Sequence, residues 1–175
     1  MTPYILYTQV TMKEISKHVN LLYIVHDNHI LMRKFRHQDY EVIDVFSFKD
    51  GSNPKEEIDA KLNSLFGKSF PYNYYGNIHS VIKKENETVY LNINTYKVLV
   101  DEKLSVLDSY TDDVVMHGGE TIWIHKNEIE NETRLREGDK KVLKRIFNNR
   151  DIDIKIAEDQ GERWIDAKII MYEDN

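Results

Sequence analysis

The chain has 175 residues, of which 41% are apolar and 31% charged, and its net charge is −6. That length and composition fit one soluble globular domain with a sizeable core, and the acidic balance excludes a general affinity for nucleic-acid backbones. Cysteine is absent, so neither a disulfide framework nor a thiolate metal site can form. The first residues lack a basic start followed by a long apolar run, and no stretch is long enough to span a membrane. A cytoplasmic protein is the expectation.

In chain order, residues 4–12 alternate loosely and are rich enough in β-branched and aromatic residues for a strand. Residues 13–20 are polar and read as a turn or short helix. Over 19–35, two apolar runs flank His26-Asp27-Asn28-His29, which predicts a β-hairpin with Asp-Asn at its tip. Val42, Phe46 and Phe48 alternate as in a strand, which breaks at Asp50-Gly51-Ser52-Asn53-Pro54. Asn53 is a helix cap, Pro54 suits the first helical position, and Glu56 completes a capping box. Ile58, Leu62, Leu65 and Phe66 recur at helical spacing, and Gly67 supplies a left-handed stop. A helix over Pro54–Phe66 is therefore predicted, with those four residues buried against the sheet.

Beyond it, 71–77 reads as a loop, 78–83 as a strand and Glu85-Asn86-Glu87 as a turn. Residues 88–100 alternate regularly and predict a strand, 101–107 are turn or strand edge, and 111–119 form a loop containing Gly118-Gly119. Glu120-Thr121-Ile122-Trp123-Ile124 is strand-like, with His125 at its end and a polar turn and short helix after it. Gly138-Asp139 opens a helix over 140–147 with an apolar stripe of Val142, Leu143, Ile146 and Phe147. Residues 151–156 alternate strictly, Asp159-Gln160-Gly161 is a turn, and 163–172 is strand-like. This predicts a terminal hairpin whose apolar face needs cover, either from the domain or from a second copy of the chain.

The order strand, loop, helix and glycine stop in this central segment resembles the signature of the Nudix hydrolase superfamily, G-x5-E-x7-R-E-U-x-E-E-x-G-U, where U is a bulky aliphatic residue. Anchored on Gly67, Leu62 fills the aliphatic position. Phe46 then stands at the first glycine, Ser52 at the first glutamate, Ala60-Lys61 at Arg-Glu and Ser64-Leu65 at Glu-Glu. A second register from Gly51 gains Glu57 at the first glutamate but puts Leu65-Phe66 at Arg-Glu. The first is preferred because it keeps both the aliphatic position and the helix stop. The hairpin with basic Arg33, Lys34 and Arg36 on its second strand, the Glu120–Trp123 strand and the closing helix extend the resemblance over about residues 19–149.

The resemblance implies a Nudix-like α/β/α sandwich with a mixed sheet over 1–150, to which 151–175 adds a C-terminal β-hairpin. It implies a box that has lost its metal ligands. The resulting expectation is a protein that binds a nucleotide-like ligand or a protein partner, with little or no hydrolysis and no cofactor. The alternative is a divergent pyrophosphohydrolase of nucleoside diphosphate-linked compounds, using Mg2+ or Mn2+ on relocated acidic residues. Candidates for that role are Glu56, Glu57, Asp59 and Glu120, set against a plain solvated helix front in which Glu57 pairs with Lys61. Ligand contacts are expected from Tyr72, Tyr74 and Tyr75, which can stack a base or simply pack, and from His117, Gly118 and Gly119 in the loop before the Trp123 strand. His26 and His29 have metal-ligand spacing but no third ligand. Trp123 and Trp164 read as core or interface residues. A homodimer is compatible with the terminal hairpin, and neither nucleic acid nor membrane is expected as a partner.

Overall fold

A computed structural model describes residues 11–48 and 53–175. The predicted strand over 4–12 falls almost wholly outside them, as do Asp50, Gly51 and Ser52 of the predicted break. Strand β1 (Lys13–His26) and β2 (His29–His37) form the expected hairpin, with Ile24 opposite Leu31 and His26 opposite His29. Asp27 takes the left-handed conformation that the two-residue tip requires, at φ 47°. Strands β3 (Tyr40–Asp44) and β4 (Phe46–Phe48) follow.

Helix α1 spans Pro54–Phe66 and ends at Gly67, which is left-handed at φ 73°. The predicted capping box does not form among the described residues, and Asn53 acts as a simple N-cap. The Asn53 side chain accepts from the amide of Lys55 rather than that of Glu56. Ile58, Leu62, Leu65 and Phe66 are buried as predicted. Leu62 is fully buried, so Leu62→Ala is expected to cost about 2–5 kcal/mol, measurable as a lowered denaturant midpoint with unchanged slope.

Three expectations about strands need correction. Residues 13–20 are neither turn nor helix but the first half of β1, paired in parallel with β6 (Glu87–Leu99) from Lys13↔Glu87 to Val25↔Leu99. Most of these side chains stay in water, so no apolar alternation marks the strand. Most of 71–77 is not a loop but the start of β5 (Tyr72–Lys83), antiparallel to β6. A bulge at Tyr75, followed by Gly76, shifts the register and gives the segment its turn-like composition. At φ 134°, Gly76 lies so close to Ile152 that an added Cβ would meet the Ile152 carbonyl oxygen at 1.8 Å. Third, Trp164 is not in a strand but opens a single 3-10 turn, Trp164–Asp166.

Four elements complete the first part of the chain's second half: the short helix α2 (Asp113–Met116), β7 (Glu120–His125), the one-turn α3 (Lys126–Ile129) and α4 (Glu137–Phe147). Helix α4 begins three residues before the expected start, so that Gly138 and Asp139 lie inside its first turn. Strands β8 (Ile152–Asp159) and β9 (Lys168–Asp174) form the terminal hairpin.

The sheet runs β3-β2-β1-β6-β5-β8-β9, with β4 on β1 and β7 on β2. It is mixed, because β1–β6 and β5–β8 are parallel and the other pairs antiparallel. Helices cover both faces. The stripe of α1 packs with Leu22, Leu31, Phe46, Tyr96 and Val98 on one side. On the other, Ile129 of α3 and Val142, Leu143 and Ile146 of α4 pack with Ile30, Met32, Ile152, Ile154 and Ile156. The α/β/α sandwich with a mixed sheet is as expected. Among the described residues, no helix is long and apolar enough to cross a membrane.

Candidate functional site

The outer stripe of α1 faces a cleft of about 690 Å³. Glu57, Ala60, Lys61 and Ser64 form one wall because they recur at helical spacing opposite the buried stripe. Arg33 of β2, Ser47 and Phe48 of β4, and residues 110–113 ahead of α2 form the rest.

Arg33 is held firmly. One of its terminal nitrogens donates to the Val45 carbonyl at 3.1 Å and lies 3.4 Å from Asp44 Oδ2, and the other is 3.6 Å from Asp112 Oδ2. Burial raises the Asp44 carboxyl above its ordinary value despite Arg33, the Val45 amide and Arg136. Asp112 caps α2 through the Val115 amide at 2.9 Å and accepts from the Tyr110 hydroxyl at 2.7 Å. Burial opposes its ionisation, but these two hydrogen bonds, Arg33 and Lys61 outweigh that and hold its carboxyl below the ordinary range.

Lys61 differs from Arg33. Its ammonium makes no hydrogen bond or ion pair among the described residues. Burial lowers its pKa, Arg33 adds to the effect, and the attraction of Asp112 and Glu57 does not cancel it. The cleft therefore contains one cation with several partners and a second that is partly desolvated and, among the described residues, makes no ion pair.

The residues singled out from the sequence are dispersed. Glu57 lines the cleft, whereas Glu56 is exposed and Asp59 is engaged by Lys55 at 3.1 Å and by Ser69. Glu120 sits opposite Lys34 in the β2–β7 register and pairs with it. It shares parity with Ile122 and Ile124, which belong to the α4 side, so it points away from the cleft. Tyr72 and Tyr74 pack edge-on against Tyr96 on the α1 side, at 5.9 and 5.5 Å. Tyr75 turns to the other side, with Lys97 Nζ 4.9 Å above its ring. His117 is exposed and its Nδ1 lies 2.6 Å from the Asp113 carbonyl; with Gly118 and Gly119 it stands outside the cleft lining. His29 meets His125 edge-on at 4.8 Å, while His26 Nδ1 lies 2.9 Å from the Val100 carbonyl oxygen. Trp123 is partly buried against the α1 core and donates to the Leu104 carbonyl at 3.1 Å.

Sequence reasoning missed Tyr110 and Asp112. The available signal was Asp112 itself, a good N-cap three residues before Val115, inside what reads as a featureless loop. Arg33 was visible only as one of three basic residues on a strand. Of the positions that correspond to metal ligands in the preferred register, Lys61 and Ser64 reach the cleft and Leu65 is fully buried in the core. Ser52 lies outside the described residues. A lysine and a buried leucine do not fit a magnesium centre, which needs hard oxygen ligands in octahedral array. Among the described residues, no group of three or more His, Asp or Glu side chains is placed to hold a metal ion.

No protein-family model matches the chain, and comparison with curated proteins gives no match. Comparison with solved structures does. The chain is similar to the mMutator MutT protein from Bacillus halodurans, at a TM-score of 0.62 and 17% identity, over 90% of this chain and 97% of that one. It is also similar to a NUDIX hydrolase from Nitrosomonas europaea, at a TM-score of 0.54 and 12% identity, over 78% of this chain and 91% of that one. The protein has the Nudix fold.

Proposed function

We propose that this Nudix-fold protein binds a nucleotide-like ligand in the cleft beside α1 and hydrolyses it little or not at all. The observation that carries this reading is Lys61. It stands on the cleft wall, at the position of a metal-binding glutamate in the preferred register of the box. An ammonium there repels a divalent cation. In metal-dependent phosphoryl chemistry the ion supplies much of the charge stabilisation in the transition state, so its loss removes most of the rate. The cleft keeps what binding needs: a fixed guanidinium at Arg33, hydroxyls at Ser47, Ser64, Tyr110 and Thr111, and the ring of Phe48, which leans on Tyr96 at 5.4 Å.

The test is calorimetric titration with ADP-ribose and nucleoside triphosphates, with and without Mg2+ or Mn2+, beside an assay of phosphate release. Binding without turnover is the expected result. Metal-dependent turnover that Glu57→Gln abolishes would overturn this reading and support a hydrolase with relocated ligands. Silence in both assays would overturn the nucleotide reading and leave a protein partner as the function to pursue.

A further inference from the structure

We propose that Lys61 acts as a resident cation, so that the cleft takes a phosphate or diphosphate group directly, between the Lys61 ammonium and the Arg33 guanidinium and without a metal ion. This deepens the reading above and names the anchoring group.

The argument starts from an imbalance of partners. Arg33 is shared among Asp44, Asp112 and the Val45 carbonyl. Lys61 shares the same cleft and has no such partner among the described residues. The two cations are close enough for Arg33 to disfavour protonation of Lys61. A half-buried cation beside another cation is a costly arrangement, and an anion between them relieves both the desolvation and the repulsion. Asp112 cannot fill that role fully, because the Tyr110 hydroxyl and the Val115 amide already occupy its carboxylate and Arg33 faces it.

The donors match a tetrahedral oxyanion. Lysine offers three rotatable donors to a phosphate as a compact charge, and arginine a planar fork. Ser64 lies on the same helical face as Lys61, and Ser47 and Thr111 add hydroxyls across the cleft. The volume, about 690 Å³, is in the range of small-molecule sites, roughly 300–1,000 Å³. Glu57 and Asp113 on the same walls limit how much negative charge the cleft accepts.

The experiment is titration of the full chain with inorganic pyrophosphate and with ADP in excess EDTA, and in parallel with adenosine. Metal-free binding of both phosphorylated probes is expected, with adenosine much weaker. Lys61→Met should weaken both about 10- to 100-fold, the worth of one charged hydrogen bond, with Lys61→Arg retaining part of the affinity. Because bound anion favours the protonated amine, affinity should fall as pH rises through the lowered Lys61 pKa, and this fall should vanish in Lys61→Met. Thermal melts of each variant separate loss of binding from loss of fold. ADP binding that needs Mg2+, or that Lys61→Met leaves unchanged, would overturn the proposal while leaving nucleotide binding intact. Mg2+-dependent turnover together with Lys61-dependent binding in EDTA would do the reverse. Absence of binding by either phosphorylated probe would sink both.

Discussion

A chain ending at Asn149 is expected to show no cooperative unfolding transition. The terminal hairpin has an apolar face, and the structure shows what covers it. Ile152, Ile154 and Ile156 of β8 are at most 5% exposed and pack with Val142, Leu143 and Ile146 of α4. Each buried isoleucine is worth about 1.5–3 kcal/mol, so the three together rival the net stability of a typical domain, about 5–15 kcal/mol. The truncation also removes the parallel partner of β5 from Gly76 to Lys83 and leaves that edge unpaired. Thermal denaturation followed by circular dichroism, with sedimentation to detect association, checks the outcome. A truncated chain that melts and sediments like the full one would show that β8 and β9 are dispensable.

Arg136→Met should be the most damaging single substitution among the charged residues, costing about 3–5 kcal/mol. Arg136 donates to Glu158 Oε2 at 2.7 Å, with both side chains at most 10% exposed, and its guanidinium lies 4.6 Å over the Trp164 ring. This contact packs Arg136 against the 3-10 turn that sequence pattern reads as strand. Close by, burial pushes the Asp139 carboxyl up to about 7; Asp44 and Glu158 reinforce the rise and Arg136 opposes it. Burial likewise raises Glu158, again against Arg136. Removing the arginine strands both carboxylates. A folded pKa raised above the unfolded value means that the native state holds its proton longer, so stability falls as pH rises through that interval. The destabilisation by Arg136→Met should therefore be larger at pH 8 than at pH 5. Chemical denaturation at the two pH values measures it, and the double variant with Glu158→Leu should recover most of the loss. Equal losses at both pH values would show that packing on Trp164, not charge, is what Arg136 contributes.

The sequence by itself determined the elements whose signals are local. Helix α1 is legible from Asn53, Pro54, its apolar spacing and Gly67, because capping and periodicity act within a few residues. The His26–His29 turn, the regular alternation of β6 and the terminal hairpin belong to the same class. The order of those elements sufficed for the resemblance that identified the fold. Only the tertiary structure decided the rest. The polar first half of β1 is a strand because β6 lies beside it in parallel, a pairing with no local trace. Tyr72, Tyr74 and Tyr75 adjoin in sequence but divide between two faces, because strand alternation separates neighbours. The same alternation sends Glu120 away from α1 and onto Lys34. The cleft is assembled from Arg33, Phe48, Lys61 and Asp112, drawn from four separate stretches of chain. Spacing within a stretch shows which residues share a face, and only the packing of those faces brings the partly desolvated Lys61 into the same cleft as a guanidinium that already has several partners.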